Sequence, residues 1–227
     1  MSTIAFSNFE RLVSLSKKGE AREHFKAHDK FMVGGTEVEI VGIGHDVDAA
    51  TGERNTVTLR VNVTLGESAF NNKSCPDGYL NSKLREYVEN VAYEKLPKEL
   101  LKYVRPVNKQ FSDYTGRLYE EVCAIFPFSE TELFGSAIYS PVEEGKRYEA
   151  FATSKDRRMF DESGCYDWYW TRSPSTGSSY TFCCVAASGT AADCNASLSW
   201  RGLRLSHLIQ YLNNRRPSVG GGSTGRV

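Results

Sequence analysis

Residues 173–199 read S-P-S-T-G-S-S-Y-T-F-C-C-V-A-A-S-G-T-A-A-D-C-N-A-S-L-S, and Asp193 is the one charged side chain among them. At the usual frequency of about one charged residue in four, a stretch this long would carry roughly seven. Aromatic and basic landmarks fence it: Trp168-Tyr169-Trp170-Thr171-Arg172 before, Trp200-Arg201-Gly202-Leu203-Arg204 after. A flexible linker of Ser, Gly and Ala does not normally include Tyr180, Phe182, Cys183, Cys184, Val185 and Leu198. The stretch reads as a folded segment whose surface side chains are small and interchangeable. That suits a binding surface better than a catalytic centre.

The rest of the composition sets wide bounds. A chain of 227 residues buries a real core as one large domain or two small ones. Lys plus Arg (28) equals Asp plus Glu (28), so overall charge gives no reason to expect a nucleic-acid partner. Twelve Tyr, twelve Phe and nineteen Gly point to a turn-rich fold with aromatic packing. No apolar run approaches the roughly 18 residues of a membrane span, so no membrane insertion is expected. The start, Met1-Ser2-Thr3-Ile4-Ala5-Phe6, lacks the basic and apolar regions of a signal peptide, which predicts a soluble chain made in the cytoplasm.

The six cysteines, Cys75, Cys123, Cys165, Cys183, Cys184 and Cys194, form neither a disulfide ladder nor a zinc spacing. The histidines His24, His28, His45 and His207 give no H-E-x-x-H pattern, and no metal or cofactor is expected. Free thiols are the default in a reducing compartment, with one disulfide left open among Cys165, Cys183, Cys184 and Cys194.

Working outward along the chain, Phe6, Phe9, Leu12, Val13 and Leu15 make a helical stripe that Ser7 could cap and Gly19 could end. Residues 1–27 are expected to be a helical extension that packs on the domain or makes a homo-oligomer contact. Phe31–Val33, Val38–Val41 and Thr56–Val63 read as strands, the last alternating as a half-buried sheet face does. Gly42–Gly52 is a turn between them; its Asp46 and Asp48 do not complete an EF-hand loop. Residues 80–105 predict two helices, with Leu84, Tyr87, Val88, Val91 and Ala92 on one face and Pro97 opening the second. Ser129-Glu130-Thr131-Glu132 has capping-box spacing, which makes its carboxylates structural rather than catalytic. Residues 28–212 form the main domain and 213–227, Gly-rich and basic, a disordered tail.

Five motifs occur in a fixed order: N-S-K-L-R (Asn81–Arg85), F-P-F-S-E-T-E-L-F-G (Phe126–Gly135), E-E-G-K-R-Y-E-A-F (Glu143–Phe151), W-Y-W-T-R-S-P (Trp168–Pro174) and G-L-R-L (Gly202–Leu205). In that order they resemble a family of bacterial and phage domains of unknown function, and Val185–Gly189 supplies its V-x-x-x-G. The likeness covers roughly residues 28–208, with Thr171 and Leu205 departing from the usual pattern. It implies an α+β, C-type lectin-like fold with two main helices and a small, largely antiparallel, loop-rich sheet. The branch it resembles includes formylglycine-generating enzymes and the variable proteins of diversity-generating retroelements. The lectin calcium motifs E-P-N and W-N-D are absent.

The retroelement likeness has a genetic-code consequence. Diversification replaces adenines, chiefly in Asn codons, and changes to their first two bases never yield Lys, Glu, Gln, Met or Trp. None of these five occurs in residues 173–199, although a β segment of small residues would exclude them too. The likeness therefore implies a non-enzymatic protein that displays a variable surface (166–200) to a protein or cell-surface ligand, as on a phage virion. The alternative on the same fold is a formylglycine-generating-enzyme-like oxidase or another modifying enzyme.

The candidate contacts are Tyr169, Ser175, Thr176, Ser178, Ser179, Tyr180, Thr190, Asp193 and Asn195. Tyr among Ser, Gly and Asn is how adaptable paratopes combine rigid anchors with small hydrogen-bonding groups, though an ordinary surface loop shares the composition. With one of Trp168 and Trp170 on a core face, strand alternation sends Tyr169 the other way. Arg172 and Arg204 are expected to be structural, bonded to backbone or to Glu130 or Glu132. The adjacent thiols of Cys183 and Cys184 point to opposite faces and are expected as small buried hydrophobes rather than one metal site.

Overall fold

The computed structural model describes residues 6–62, 65–161, 163–198 and 208–211. The expected tail and the landmarks Trp200 and Arg204 lie outside them.

Helix α1 (Phe6–Lys17) puts Phe9, Leu12 and Val13 on one stripe, because positions three and four apart share a helix face. Gly19 follows its last turn. A short helix, α2 (Ala21–His24), then leads to strand β1 (Lys30–Val33). The stripe packs onto β1, where Phe9 meets Phe31 edge-on at 5.8 Å between ring centres. The expected extension is therefore part of the core. Phe9, Leu12 and Val13 of its stripe are buried within the chain.

Strands β2 (Thr36–Ile43) and β4 (Val57–Val61) continue this sheet antiparallel, with Phe31 opposite Val38 and Ile40 opposite Leu59. The last described strand, β13 (Leu208–Tyr211), enters between β4 and β7 (Ile125–Phe126), giving the order β1-β2-β4-β13-β7. The alternation in β4 is real, but the strand is not half-buried: all of it is inside. Its polar face carries Arg60, which donates to Glu39 at 2.7 Å and to the Asp156 carbonyl at 2.8 Å and lies 5.5 Å from the Phe151 ring centre. Pairing is what makes a charge tolerable there.

Within the 42–52 turn sits a two-residue strand, β3 (Val47–Asp48), which pairs with β5 (Val107–Ser112). β5 forms a hairpin with β6 (Leu118–Cys123). The helical region is more broken than expected. Ser82 caps α3 (Lys83–Tyr87), a π-type turn spans Val88–Ala92, and α4 (Lys98–Leu101) follows Pro97. A π-type turn takes in an extra residue. Leu84, Val88 and Ala92 stay buried while Val91 rotates outward to 41% exposure. Helix α5 (Glu130–Phe134) starts on the expected capping box: Ser129 Oγ accepts from the Glu132 N–H, and the Glu132 carboxylate accepts from the Ser129 N–H, both at 3.0 Å.

A second sheet joins β10 (Tyr169–Pro174), β11 (Thr181–Val185) and β12 (Ala191–Asn195), all antiparallel, with β12 at its edge. It is preceded by a small ribbon of β8 (Met159–Phe160) and β9 (Tyr166–Asp167). Gly189 explains the end of V-A-A-S-G. Its φ is +82°, and a Cβ there would collide with the Ser154 carbonyl oxygen. The architecture is α+β, built from small antiparallel sheets and short helices.

Candidate functional site

Strand β10 carries Arg172 to the centre of the molecule. The side chain is fully buried, with Phe111 and Phe126 rings 5.1 and 5.8 Å from the guanidinium. It donates to the Gln110 and Pro127 carbonyls at 3.0 and 2.9 Å and to Glu132 at 2.5 Å. The other Glu132 oxygen accepts from Lys109, whose ammonium also reaches Asp46 at 2.9 Å and the Tyr148 hydroxyl at 3.0 Å. Asp46 accepts in turn from Thr58 and Tyr148, each at 2.7 Å. The chain of charges Asp46, Lys109, Glu132, Arg172 is buried, alternates in sign and sums to zero. Arg172 and Glu132 thus have the structural role expected of them.

Burial alone would raise these carboxyls; the neighbouring cations outweigh it. Lys109 holds Asp46 down at about 2, and Arg172 with Lys109 keeps Glu132 below the usual carboxylate range. Glu144, also buried, is pushed up by desolvation despite Arg172; it accepts from the Ser173 hydroxyl.

This network floors a cleft of about 620 Å³ lined by Arg22, His45, Arg54, Gln110, Lys146 and Glu149 among others. The imidazole of His45 stacks on Tyr148 at 3.8 Å, and burial lowers its pKa, so it is neutral at pH 7. The floor has little left to offer a ligand, since all three ammonium protons of Lys109 are already donated. Sequence reading missed this cluster. Its one signal was Lys109, a charge at the core-facing parity of Val107 and Phe111 in β5.

The nine expected contacts divide. Tyr169 is a correction: it is 2% exposed, and its hydroxyl donates to the Arg157 carbonyl at 2.7 Å. Alternation sends it away from Trp170, as expected, but both faces of β10 are covered. Trp170 is 1% exposed, donates to the Ser68 carbonyl at 3.1 Å and meets Phe70 edge-on, while Trp168 is 37% exposed. Ser175 is a second correction, 5% exposed with its N–H on the Thr181 carbonyl. Thr176, Tyr180, Thr190, Asp193 and Asn195 are exposed, and Ser178 and Ser179 are half-buried.

The turn from 175 to 180 is anchored through main-chain groups to three other loops. The Thr176 N–H meets the Tyr139 carbonyl at 2.8 Å, that of Gly177 the Tyr114 carbonyl at 3.2 Å, and that of Cys75 the Ser179 carbonyl at 2.7 Å. On its far side the Ala196 N–H reaches the Tyr180 carbonyl at 2.8 Å, and the pairing of Thr181 with Asn195 sets Asn195 beside Tyr180. Asp193 follows one step along the same face. Thr190 sits at the opposite end of β12 and is not brought into this group. Small polar side chains here are not all idle. Thr176 Oγ1 donates to the Tyr139 carbonyl at 2.7 Å, Ser179 Oγ accepts from Ser74 at 2.8 Å, Ser178 Oγ accepts the N–H groups of Tyr180 and Thr181, and Asn195 Oδ1 accepts from Ser197, so the expectation that identity is indifferent fails at these four.

Two neighbours were missed. Ile138 and Tyr139 are 52% and 40% exposed beside Thr176. The buried Glu130 carboxylate holds their loop by accepting the N–H groups of Ile138, Tyr139 and Ser140 at 2.8 to 3.1 Å. The cysteines are free thiols. Cys183 turns inward toward the Pro174 carbonyl, while Cys184 faces the other way and brings its Sγ to 3.0 Å from that of Cys194.

The architecture and the composite face define an α+β domain with an exposed turn and edge strand beside a self-paired ionic core. Residues 54–213 match the family described as a domain of unknown function, DUF6273. The match covers more than half of the 227 residues, and the chain belongs to that family. No curated protein and no solved structure matched it. Among the described residues, no helix is long and apolar enough to cross a membrane.

Proposed function

We propose that this protein is a non-enzymatic ligand-binding module whose recognition face is the 175–180 turn with Asp193 and Asn195 of β12, flanked by Ile138 and Tyr139. The observation that carries the reading is how that turn is held. Its anchors to the 75, 114, 139 and 196 positions run through main-chain N–H and carbonyl groups, with the Thr176 and Ser179 hydroxyls adding bonds to the Tyr139 carbonyl and the Ser74 hydroxyl, while Tyr180, 57% exposed, and Asp193 project outward. A surface built this way changes its contacts without changing its backbone, which is what a display protein needs. Tyrosine supplies rigid contact area at low entropic cost.

The scaffold reading is a C-type lectin-like domain. Support comes from β13, which returns near the chain's end to pair with β4, and from the loop-rich excursion between them that holds the second sheet. Diversification of retroelement type, on a phage virion or cell surface, accounts for the absence of Lys, Glu, Gln, Met and Trp from residues 173–199. A neighbouring reverse-transcriptase gene with a near-copy of the coding stretch for 165–205 would mark it. The alternative of a modifying enzyme on the same scaffold has one observation on its side, the neutral His45 beside the cleft. The saturated floor beneath it favours the binding reading.

The test is a library varied at Ile138, Tyr180 and Asp193, whose side chains anchor nothing in the turn, and selected against an immobilised probe protein, egg-white lysozyme. The expected result is folded variants that bind lysozyme and lose binding when the three positions are restored. A library that unfolds, or one that folds and yields no binder, contradicts the proposal.

A further inference from the structure

We infer that Cys184 and Cys194 form a reversible disulfide that staples the edge strand β12 to β11. In this sheet Phe182 lies opposite Cys194 and Cys184 opposite Ala192, so the two cysteines are diagonal neighbours on one face. Their Sγ atoms stand 3.0 Å apart, about 1 Å beyond a disulfide bond. The remaining thiols are placed differently. Cys75 and Cys123 are buried in other parts of the fold, Cys165 is exposed between β8 and β9, and Cys183 faces the Pro174 carbonyl.

The geometry also assigns the order of events. Cys184 is 1% exposed and donates its S–H to the Cys194 sulfur, and that bond together with burial keeps it protonated. Cys194 is the half-buried member that a reagent meets first. With a peroxide as oxidant, the Cys194 thiolate attacks one oxygen. An S–O bond forms, the O–O bond breaks, and hydroxide leaves and takes up a proton. The Cys184 sulfur then displaces the second hydroxide, which takes the Cys184 proton as the S–S bond closes. Two thiols and one peroxide give one disulfide and two waters. Diagonal pairs in a sheet lie about 7–8 Å apart at Cα, beyond the roughly 4.4–6.8 Å a disulfide usually spans, so closing the bond draws β12 toward β11 and strains it. The bridge is therefore of the easily reduced kind, a switch rather than a permanent staple. When closed, it stiffens the strand that carries Asp193 and Asn195.

The bond itself does not depend on the recognition reading, and its test reads thiols alone. The full chain is reduced, treated with one equivalent of hydrogen peroxide, quenched with N-ethylmaleimide and digested with trypsin. No Lys or Arg lies between Arg172 and Arg201, so residues 173–201 leave as one peptide holding Cys183, Cys184 and Cys194. The expected peptide has lost two hydrogens and carries one maleimide, on Cys183, and mild dithiothreitol restores three sites. Three maleimides after oxidation would overturn the inference. So would a disulfide that survives in a Cys194→Ser variant, because the bond would then join Cys183 to Cys184.

Discussion

The ionic core around Glu132 and the turn around Tyr180 are held by opposite means. In the core, side chains bond side chains: Asp46, Lys109, Glu132, Arg172 and Tyr148 are mutually specified, and each one removed strands another without water. In the turn, the anchors are chiefly main chain to main chain, joined by the Thr176, Ser178 and Ser179 hydroxyls, while Tyr180 and Asp193 project outward. The two regions meet at strand β10, which carries Arg172 into the ionic core and runs directly into the 175–180 turn. The proposed recognition face is the part of the molecule whose backbone is held chiefly by main-chain bonds.

The comparison is sharpest at Arg172. Arg172→Met keeps the volume and removes the cation, leaving Glu132 buried with half its compensation. We expect a loss of about 3–5 kcal/mol in chemical denaturation, as when one partner of a buried ion pair is removed. A loss under about 1 kcal/mol would mean that the core is not ionic in the way described.

Acid should attack the core and spare the turn. Asp46 is held at about 2 from its ordinary 3.8, where Lys109 outweighs burial, and Glu39 at about 2 from 4.5, where Arg60 does. Both take up protons less readily folded than unfolded, so their contribution is complete above about pH 4.5 and is lost as pH falls toward 2. For Asp46 that amounts to about 2 kcal/mol. Denaturation midpoints measured from pH 6 to pH 2 should decline chiefly below pH 4.5, and a flat profile there would break the assignment.

The capping box at Ser129 and Glu132, the helix ending before Gly19 and the strands at Phe31, Val38 and Val57 follow from local rules and were legible in the sequence. What was not legible depends on distant cover. Alternation places Tyr169 opposite Trp170 correctly but cannot report that the loop at Arg157 lies over it. The β5–β6 hairpin was missed because Lys109 interrupts an otherwise apolar parity, and only Asp46 and Glu132, far off in sequence, make that lysine a core residue. Five of the candidate contacts, Thr176, Tyr180, Thr190, Asp193 and Asn195, are exposed, since small polar residues in turns and at a sheet edge are exposed for local reasons. Their grouping around Tyr180, and the exclusion of Thr190 from it, depend on strand register.

The smallest expected effect carries the most weight. In the Tyr180→Ser, Asp193→Ala double variant, amide hydrogen exchange should leave the protection of the Cys75, Thr176, Gly177 and Ala196 N–H groups as in the parent. Global stability should change by less than about 0.5 kcal/mol, as at exposed positions generally. Loss of protection at those four amides would show that the outward side chains hold the turn, and the account of a backbone-built recognition face would be wrong.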